Sequence, residues 1–262
     1  MTGHHDIVDV HVHLGASAAL SVAGGVDDLL RKMDVNGIAC AVLSPIPGQE
    51  DPDGVESTRA VNDAIAAARD AHPDRFPRIL AAVEPRHGAP ALPEVDRTVG
   101  DLGFSGLSFH NDFQGFPADH PTMFAIVERL AAYPHAITQL HSAIHSWLEA
   151  PFQVGKLVAA FPGLRFVNAH ALMDPTQTSY TVWQAPQLPN LYFDTCVSQK
   201  YGFPIERVVA ELGDDRFMFG SDIPYMRDRC LDLDLIVHAD VPEESKRRIL
   251  GGNARRLFDI PG

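Results

Sequence analysis

The stretch VDVHVHLG, at residues 8–15, has the alternation of a β-strand and carries two histidines one residue apart. Side chains alternate between the two faces of a strand, so we expect His11, His13 and Asp9 on one face and the valines on the other. A lone buried histidine is more often a hydrogen-bonded core residue. Two aligned histidines at the end of a strand instead favour metal binding.

Seven further apolar runs of strand length follow, each bordered by Gly, Pro or Asp, and helical patterns lie between them. The eight predicted strands span residues 6–13, 37–44, 78–85, 104–110, 135–142, 164–170, 191–197 and 216–222. Eight strand–helix units of about thirty residues each predict an α/β fold, a single (β/α)8 TIM barrel over residues 1–262 with few insertions. A doubly wound open sheet is the alternative, but the sequence has neither G-x-G-x-x-G nor G-x-x-x-x-G-K-[ST].

Composition narrows the range of partners. The chain has 262 residues, 45% of them apolar, and a formal net charge of −13, which argues against nucleic acid and anionic membranes. We find no apolar run long enough to cross a bilayer and no signal peptide. The three cysteines are widely spaced, which favours neither disulfides nor a zinc ribbon. These features together predict a cytoplasmic protein that acts on a small molecule.

Ionisable side chains stand at the carboxyl ends of the predicted strands, where barrel enzymes carry their active sites. They are His11 and His13 on the first strand, His110 on the fourth, His141 on the fifth, His170 on the sixth and Asp222 on the eighth. Six such groups at one end of a barrel are hard to explain as core residues. We therefore predict one active site there, with His11 and His13 in a metal centre.

The motifs resemble the amidohydrolase superfamily, in particular amidohydrolase family 2, which includes aminocarboxymuconate-semialdehyde decarboxylase. The resemblance covers nearly the whole chain. The segments that carry it are DVHVHLG, GFSGLSFHN, QLHS, FVNAHALMD, FMFGSDIPY and ILGGNARRLFDI. Each is moderately specific alone, whereas their order and spacing together are strongly specific.

This resemblance implies a metal site and its chemistry. The implied ligands are His11, His13, His141 and Asp222, with Asp222 and His170 as catalytic acid–base groups. Ser108 stands where related enzymes with two metals carry a carbamylated lysine, so one divalent ion is expected. Three imidazoles and one carboxylate suit Zn²⁺ best, with Mn²⁺ or Fe²⁺ as alternatives.

The family carries out two kinds of reaction, and the strand-end residues do not choose between them. We favour a hydrolase that uses metal-activated water on an amide, a lactone or another ester, or a related C–N bond. A non-oxidative decarboxylase of a small, possibly aromatic, carboxylic acid is the alternative. The short chain and the lack of an arginine cluster at the mouth support hydrolysis. A third reading is a non-catalytic binding barrel. The presence of a ligand residue at every implied position argues against this reading.

Other residues are candidates for contacts with the substrate. His110 lies at the mouth, where it would bind substrate, replace a ligand or support one. Arg86, after the third strand, and Arg227 or Arg229, after the eighth, would each clamp a carboxylate. Trp147 would line the site and pack against an apolar substrate. The loops at 45–55 and 111–121 are long enough to act as lids. Relatives often form dimers, so the resemblance implies a homodimer.

Overall fold

A computed structural model of the chain describes residues 6–17, 21–49, 54–198, 204–225 and 228–261. The strands in these ranges are β1 (Ile7–Ser17), β2 (Val22–Gly24), β3 (Ile38–Pro45), β4 (Arg78–Ile79), β5 (Gly106–Phe109), β6 (Ile137–His141), β7 (Arg165–Ala169), β8 (Leu191–Asp194) and β9 (Phe217–Met218). Eight of them, β1 and β3–β9, correspond to the eight predicted strands. The short β2 was not predicted, and it pairs antiparallel with the end of β1.

Helices follow the strands along the chain. They are α1 (Val26–Asn36), α2 (Val55–Ala71), α3 (Leu92–Val95), α4 (Asn111–Gln114), α5 (Pro121–Leu130), α6 (Pro151–Ala160), α7 (Pro175–Gln184), α8 (Pro204–Leu212), α9 (Leu231–His238), α10 (Glu243–Arg247) and α11 (Asn253–Phe258). None of the helices in the described ranges combines the length and the apolar character needed to cross a membrane.

The eight main strands close into a ring. Strands β1, β3 and β4 pair in parallel, and so do β5–β9 in sequence order. Main-chain hydrogen bonds join the two groups at both edges. Ala81 N, just after β4, donates to Gly106 O of β5 at 2.9 Å, and His13 N of β1 donates to Ile223 O, after β9, at 2.7 Å. The fold is therefore the predicted (β/α)8 TIM barrel, with its first and last strands side by side.

Strand β1 contains a bulge that changes which side chains face inward. Asp9 pairs with Ala41 and Val12 with Leu43, so three residue steps on β1 match two on β3. An extra residue of this kind shifts every following side chain to the other face. Asp9 therefore faces away from His13, and the prediction that the two share a face was wrong. Strict alternation was assumed across residues 9–12, and the bulge breaks it.

Two side chains satisfy the main-chain groups that the bulge takes out of the ladder. The Asp9 Oδ1 atom accepts a hydrogen bond from His11 N at 3.0 Å. Across the barrel, Gln139 Nε2 of β6 donates to Val10 O at 3.0 Å. Because buried main-chain groups are costly when unpaired, these two contacts stabilise the bulge.

An apolar layer fills the barrel beneath the strand ends. Its members come from β1, β3, β6, β7 and β9 and from the residue after β4: Val8, Val10, Cys40, Val42, Leu80, Ile137, Val167 and Met218. Helix α11 packs Leu257 and Phe258 against this layer. Arg78, at the start of β4, donates to Phe258 O at 2.7 Å, and Arg165, at the start of β7, donates to Leu257 O at 2.7 Å. The amino-terminal end of the barrel is thereby covered, and the opposite end remains open for a site.

Candidate active site

A cavity of about 270 Å³ lies at the carboxyl ends of the strands. All six ionisable residues predicted at the strand ends line it: His11, His13, His110, His141, His170 and Asp222. Apolar side chains also line it, among them Phe109, Phe113 and Met173. The structure thus brings together side chains from strands that are far apart in sequence, with histidine, carboxylate and apolar groups in one cavity.

Asp222 is the carboxylate on which the strand-one histidines converge. Its Oδ1 lies 3.3 Å from His13 Nε2 and 3.7 Å from His11 Nε2. Its main chain has a positive φ of 64°, a strained conformation for a residue with a side chain, and Asp222 N donates to His11 O at 2.9 Å. The backbone therefore stores strain at the point that turns this carboxylate toward the two imidazoles.

Three imidazoles have one ring nitrogen already engaged. The Nδ1 atoms donate to oxygen acceptors, which are Asp194 Oδ2 for His11 (2.7 Å), the Pro45 carbonyl for His13 (3.0 Å) and Glu149 Oε1 for His141. A hydrogen bond at Nδ1 leaves the lone pair on Nε2, which is the form of histidine that binds metal ions. In the described residues, two groups of possible ligand atoms each lie within 4.8 Å of one another: His11, His170, Cys196 and Asp222, and His110, His141 and Glu149. Imidazole and carboxylate donors of this kind suit a divalent cation.

The electrostatics of the site favour a cation. Burial lowers the pKa of His11, but the carboxylates of Asp194 and Asp222 outweigh burial and raise this pKa to about 9. Burial raises the pKa of Asp222, whereas the hydrogen bond from His13 and the charge of His11 hold it well below its usual range. The carboxylates of Asp194 and Asp222 thus stay ionised and keep His11 protonated. A metal ion would compete with the proton on His11.

His170 follows β7 and sits between the other imidazoles. Its ring centroid lies 4.9 Å from that of His11 and 4.4 Å from that of His141. Its main chain has a φ of 58°, and His170 N donates to Asp194 Oδ1 at 2.9 Å. Burial, and then the charge of His141, lower the pKa of His170 to about 3. The imidazole is therefore neutral at neutral pH.

His110 stacks on His141, with ring centroids 3.6 Å apart and planes 14° from parallel. Its Nδ1 lies 3.2 Å from Glu149 Oε2, although the angle does not make a hydrogen bond. Burial and the neighbouring His141 lower the pKa of His110 to about 4. His110 thus belongs to the wall of the cavity and shares its carboxylate neighbour with a predicted ligand.

Three predicted substrate contacts, Arg86, Trp147 and Arg229, are not brought to the cavity. The guanidinium of Arg86 forms two hydrogen bonds, at 2.9 and 2.8 Å, with the buried carboxylate of Glu84. Trp147 is 91% exposed and does not line the cavity. Arg229 pairs with Asp234 at 2.9 Å, and Arg227 lies outside the described residues. Within the described ranges, neither lysine nor arginine lines the cavity.

The two predicted lid loops both contribute to the wall of the cavity. Pro47 and Gly48 come from the first loop, of which residues 50–53 lie outside the described ranges. Phe113 and Gln114 come from α4 in the second. Lid movement stays a prediction.

Sequence reasoning missed two carboxylates. Asp194 closes β8 and has both oxygens engaged, on the ring of His11 and on the main chain of His170. It stands in the middle of the seventh predicted strand, 191–197, so the rule that selected strand-end residues did not include it. Glu149 lies in a loop eight residues after His141, and no motif marks it. Only the folded structure shows that it reaches back to the histidine rings.

Comparison with known proteins places the chain among related sequences. The model of amidohydrolase family 2 matches residues 8–260. A 2-keto-4-carboxy-3-hexenedioate hydratase from a Sphingobium species is 23% identical over 287 aligned positions, which cover 87% of this chain and 81% of the hydratase. The family match therefore extends across almost the whole barrel.

Solved structures share the fold. The 2,6-dihydroxybenzoate decarboxylase from Rhizobium superposes with a TM-score of 0.76 at 22% identity, and the match covers 98% of this chain and 100% of that one. A dihydroxybenzoic acid decarboxylase from Polaromonas, with bound manganese and the inhibitor 2-nitroresorcinol, has a TM-score of 0.75 at 20% identity, over 98% of this chain and 97% of that one. At these identities the structures bear on the fold alone.

Proposed function

Because the chain belongs to amidohydrolase family 2, whose model spans residues 8–260, we propose that it is a metal-dependent enzyme that decarboxylates a small carboxylic acid without an oxidant. The observation that carries this proposal is the cavity, in which imidazole and carboxylate groups converge beside the apolar side chains Phe109, Phe113 and Met173. Its volume of about 270 Å³ lies between the ~150 Å³ that holds a benzene ring and the range of drug-sized pockets. A single-ring acid, or an open-chain acid of similar size, fits that volume.

We assign one divalent ion to His11, His13, His141 and Asp222. Bound there, the ion supplies a Lewis acid for carboxylate or hydroxyl oxygens of the substrate. Three imidazoles and one carboxylate suit Zn²⁺, and the Polaromonas relative that holds manganese supports Mn²⁺ as the alternative. The absence of lysine and arginine from the described part of the cavity wall supports this assignment, since a substrate carboxylate then needs another cation.

The side chains of this cavity would carry the proton and exclude water. Decarboxylation breaks the bond between the carboxyl carbon and its neighbour, releases CO₂ and leaves the electron pair on the neighbouring carbon. That carbon must then take a proton. Asp222, which is ionised, and His170, which is neutral, face the cavity, and we assign to them the relay of this proton from water to the carbon. Phe109 and Phe113, which line the same cavity, would contact the substrate and help keep bulk water away.

The choice of reaction differs from the one that the sequence favoured. From the sequence, the short chain and the lack of an arginine cluster at the mouth favoured hydrolysis. The names of the relatives, decarboxylases and a hydratase, support the reading that was first the alternative. Amide or ester hydrolysis thus has less support than carbon–carbon bond cleavage.

Hydration of a carbon–carbon double bond is a second candidate, because the Sphingobium relative is a hydratase. In that reaction, water adds across the double bond, with hydroxide on one carbon and a proton on the other. The same acid–base groups would serve it. The two candidates differ in their products, since only decarboxylation releases CO₂.

The test is to load the protein with Zn²⁺ or Mn²⁺ and to offer hydroxybenzoates and unsaturated keto-dicarboxylic acids in D₂O. We expect CO₂ in equal amount to the substrate consumed and one deuterium on the carbon that lost it. A product that gains the mass of water without CO₂ would instead identify a hydratase. Turnover of esters, lactones or amides alone would contradict the proposal. The Asp222→Asn variant serves as the inactive control.

A further inference from the structure

We infer that Glu149 is a positioning residue for the proposed metal centre, because one buried carboxylate lies against the ring nitrogens of both His141 and His110. This inference rests on the proposed metal-dependent function and names a residue outside the strand-end motifs. Glu149 is fully buried and comes from the loop between β6 and α6. It touches the histidines from behind, on the side of the rings that bears Nδ1.

The two oxygens of Glu149 have different partners. Oε1 accepts the hydrogen bond from His141 Nδ1, and Oε2 accepts one from Asp112 N at 3.1 Å. Oε2 also lies 3.2 Å from His110 Nδ1. Glu149 thus acts on His141 through a hydrogen bond and on His110 through its charge. Its bond to His141 directs the Nε2 lone pair of this imidazole away from the carboxylate, as a metal ligand requires.

The loop that carries Glu149 is pinned at several points. Ser146 Oγ accepts a hydrogen bond from Glu149 N at 3.0 Å and donates one to Asp112 Oδ1 at 2.6 Å. Glu149 O in turn accepts a hydrogen bond from Ala143 N at 3.1 Å. Because Asp112 belongs to α4, these bonds tie the loop after β6 to the segment after β5. The carboxylate is therefore held in one position relative to both histidines.

Charge explains why such a buried carboxylate is retained. The ring of His141 donates to one oxygen of this carboxylate and Asp112 N donates to the other, so both oxygens have partners in the interior. The ionised carboxylate makes His141 a stronger electron donor at Nε2. The ligand atoms of His110, His141 and Glu149 also lie within 4.8 Å of one another, a spacing that a second metal ion would accept. The existing bond between Glu149 and His141 Nδ1 favours positioning over that alternative.

The experiment compares Zn²⁺ affinity in wild type, Glu149→Gln and Ser146→Ala by competition with a chromophoric chelator. Glu94→Gln is the matched control, because Glu94 is equally buried and bonded, to Asn62 and Arg97, but does not line the cavity. Unfolding of the metal-free proteins is measured in parallel. We expect Glu149→Gln to lose about 10- to 100-fold in Zn²⁺ affinity, with Glu94→Gln at the wild-type value. Ser146→Ala, which keeps the carboxylate, should lose less but in the same direction.

The outcomes separate this inference from the proposed function. Wild-type affinity in a folded Glu149→Gln protein would overturn the inference, and so would two Zn²⁺ per wild-type chain that fall to one in the variant. If Glu149→Gln fails to fold, wild-type affinity in Ser146→Ala overturns it. A wild-type protein that binds no Zn²⁺ also overturns it. A protein whose Zn²⁺ affinity depends on Glu149 as expected, yet which releases no CO₂, would contradict only the decarboxylase proposal.

Discussion

Val8 and His13 lie on the same face of β1, although five residue steps separate them. Their partners on β3, Cys40 and Ser44, are four steps apart, so between these two positions β1 holds one residue more than β3. The bulge lets a single strand serve two purposes. Its first half contributes valine to the apolar layer inside the barrel, and its second half turns His11 and His13 into the cavity. The geometry of the site therefore depends on an irregularity in the sheet.

Replacing Gln139 should weaken the bulge. Gln139→Leu removes the donor to Val10 O, and a buried carbonyl without a partner costs about 1–3 kcal/mol. We expect the free energy of unfolding in urea to fall by that amount. Gln187→Leu is the control, because it removes an exposed hydrogen bond from the Gln187 side chain to Trp183 O. This change should alter the free energy of unfolding by less than about 0.5 kcal/mol. Equal effects of the two changes would contradict this account of the bulge.

Gly106 is expected to tolerate no side chain. Its φ is +148°, and a Cβ atom there would lie 1.8 Å from Ile137 O, the main chain of the neighbouring strand. Gly106→Ala must therefore break the pairing of β5 with β6 beneath His110 and His141. We predict loss of soluble folded protein, measured by expression yield and circular dichroism. Gly163→Ala, where a Cβ atom meets nothing within 4 Å, should leave both unchanged.

The metal content should follow the strand-one histidines. Elemental analysis of the wild-type protein is expected to find about one divalent ion per chain, since the donor set comprises three imidazoles and one carboxylate. The double variant His11→Ala/His13→Ala should lose it, and a chelator should abolish turnover until metal is restored. The double variant His135→Ala/His238→Ala, which changes two exposed histidines, should keep the ion. Retention of metal in the first variant would exclude His11 and His13 as ligands.

Asp222 should be required for turnover but not for the fold. Asn tolerates the left-handed backbone at this position, so Asp222→Asn should keep the overall structure. Loss of the carboxylate removes a metal ligand and an acid–base group, and we expect CO₂ release to fall by at least about 10²-fold. Near-ultraviolet circular dichroism checks the fold. Asp228→Asn, which removes an exposed partner of Arg31, should keep full activity; normal turnover by Asp222→Asn would exclude the assigned role.

The strands and the strand-end residues could be predicted because both depend on local pattern. Apolar runs mark the strands, and the barrel brings their carboxyl ends together whatever the loops do. Features that depend on geometry could not be predicted. The VDVHVH alternation continues unbroken through the bulge, so no residue type marks the point at which Asp9 turns away. Glu149 reaches its partners only through the path of its loop.

Arg86 is a residue for which the sequence suggested a substrate contact that the structure does not bring to the cavity. Its position after the third predicted strand suggested that it binds a substrate carboxylate. In the structure its guanidinium instead forms two hydrogen bonds with Glu84, two residues earlier. A short-range ion pair with a buried carboxylate is stronger than the attraction of a distant cavity. Charged residues near a strand end therefore need an account of their neighbours before a role in binding is assigned.

The closure of the ring between β1 and the segment after β9 has a consequence for synthesis on the ribosome. His11 and Asp222 meet only when more than two hundred intervening residues have been translated. Until then, the edge of β1 that pairs with the segment after β9 has no partner. The apolar layer is also not yet covered by α11. The nascent chain must therefore remain soluble for most of its elongation without a finished core. The histidine and carboxylate residues of the cavity therefore come together only in a late step, when the two ends of the barrel join.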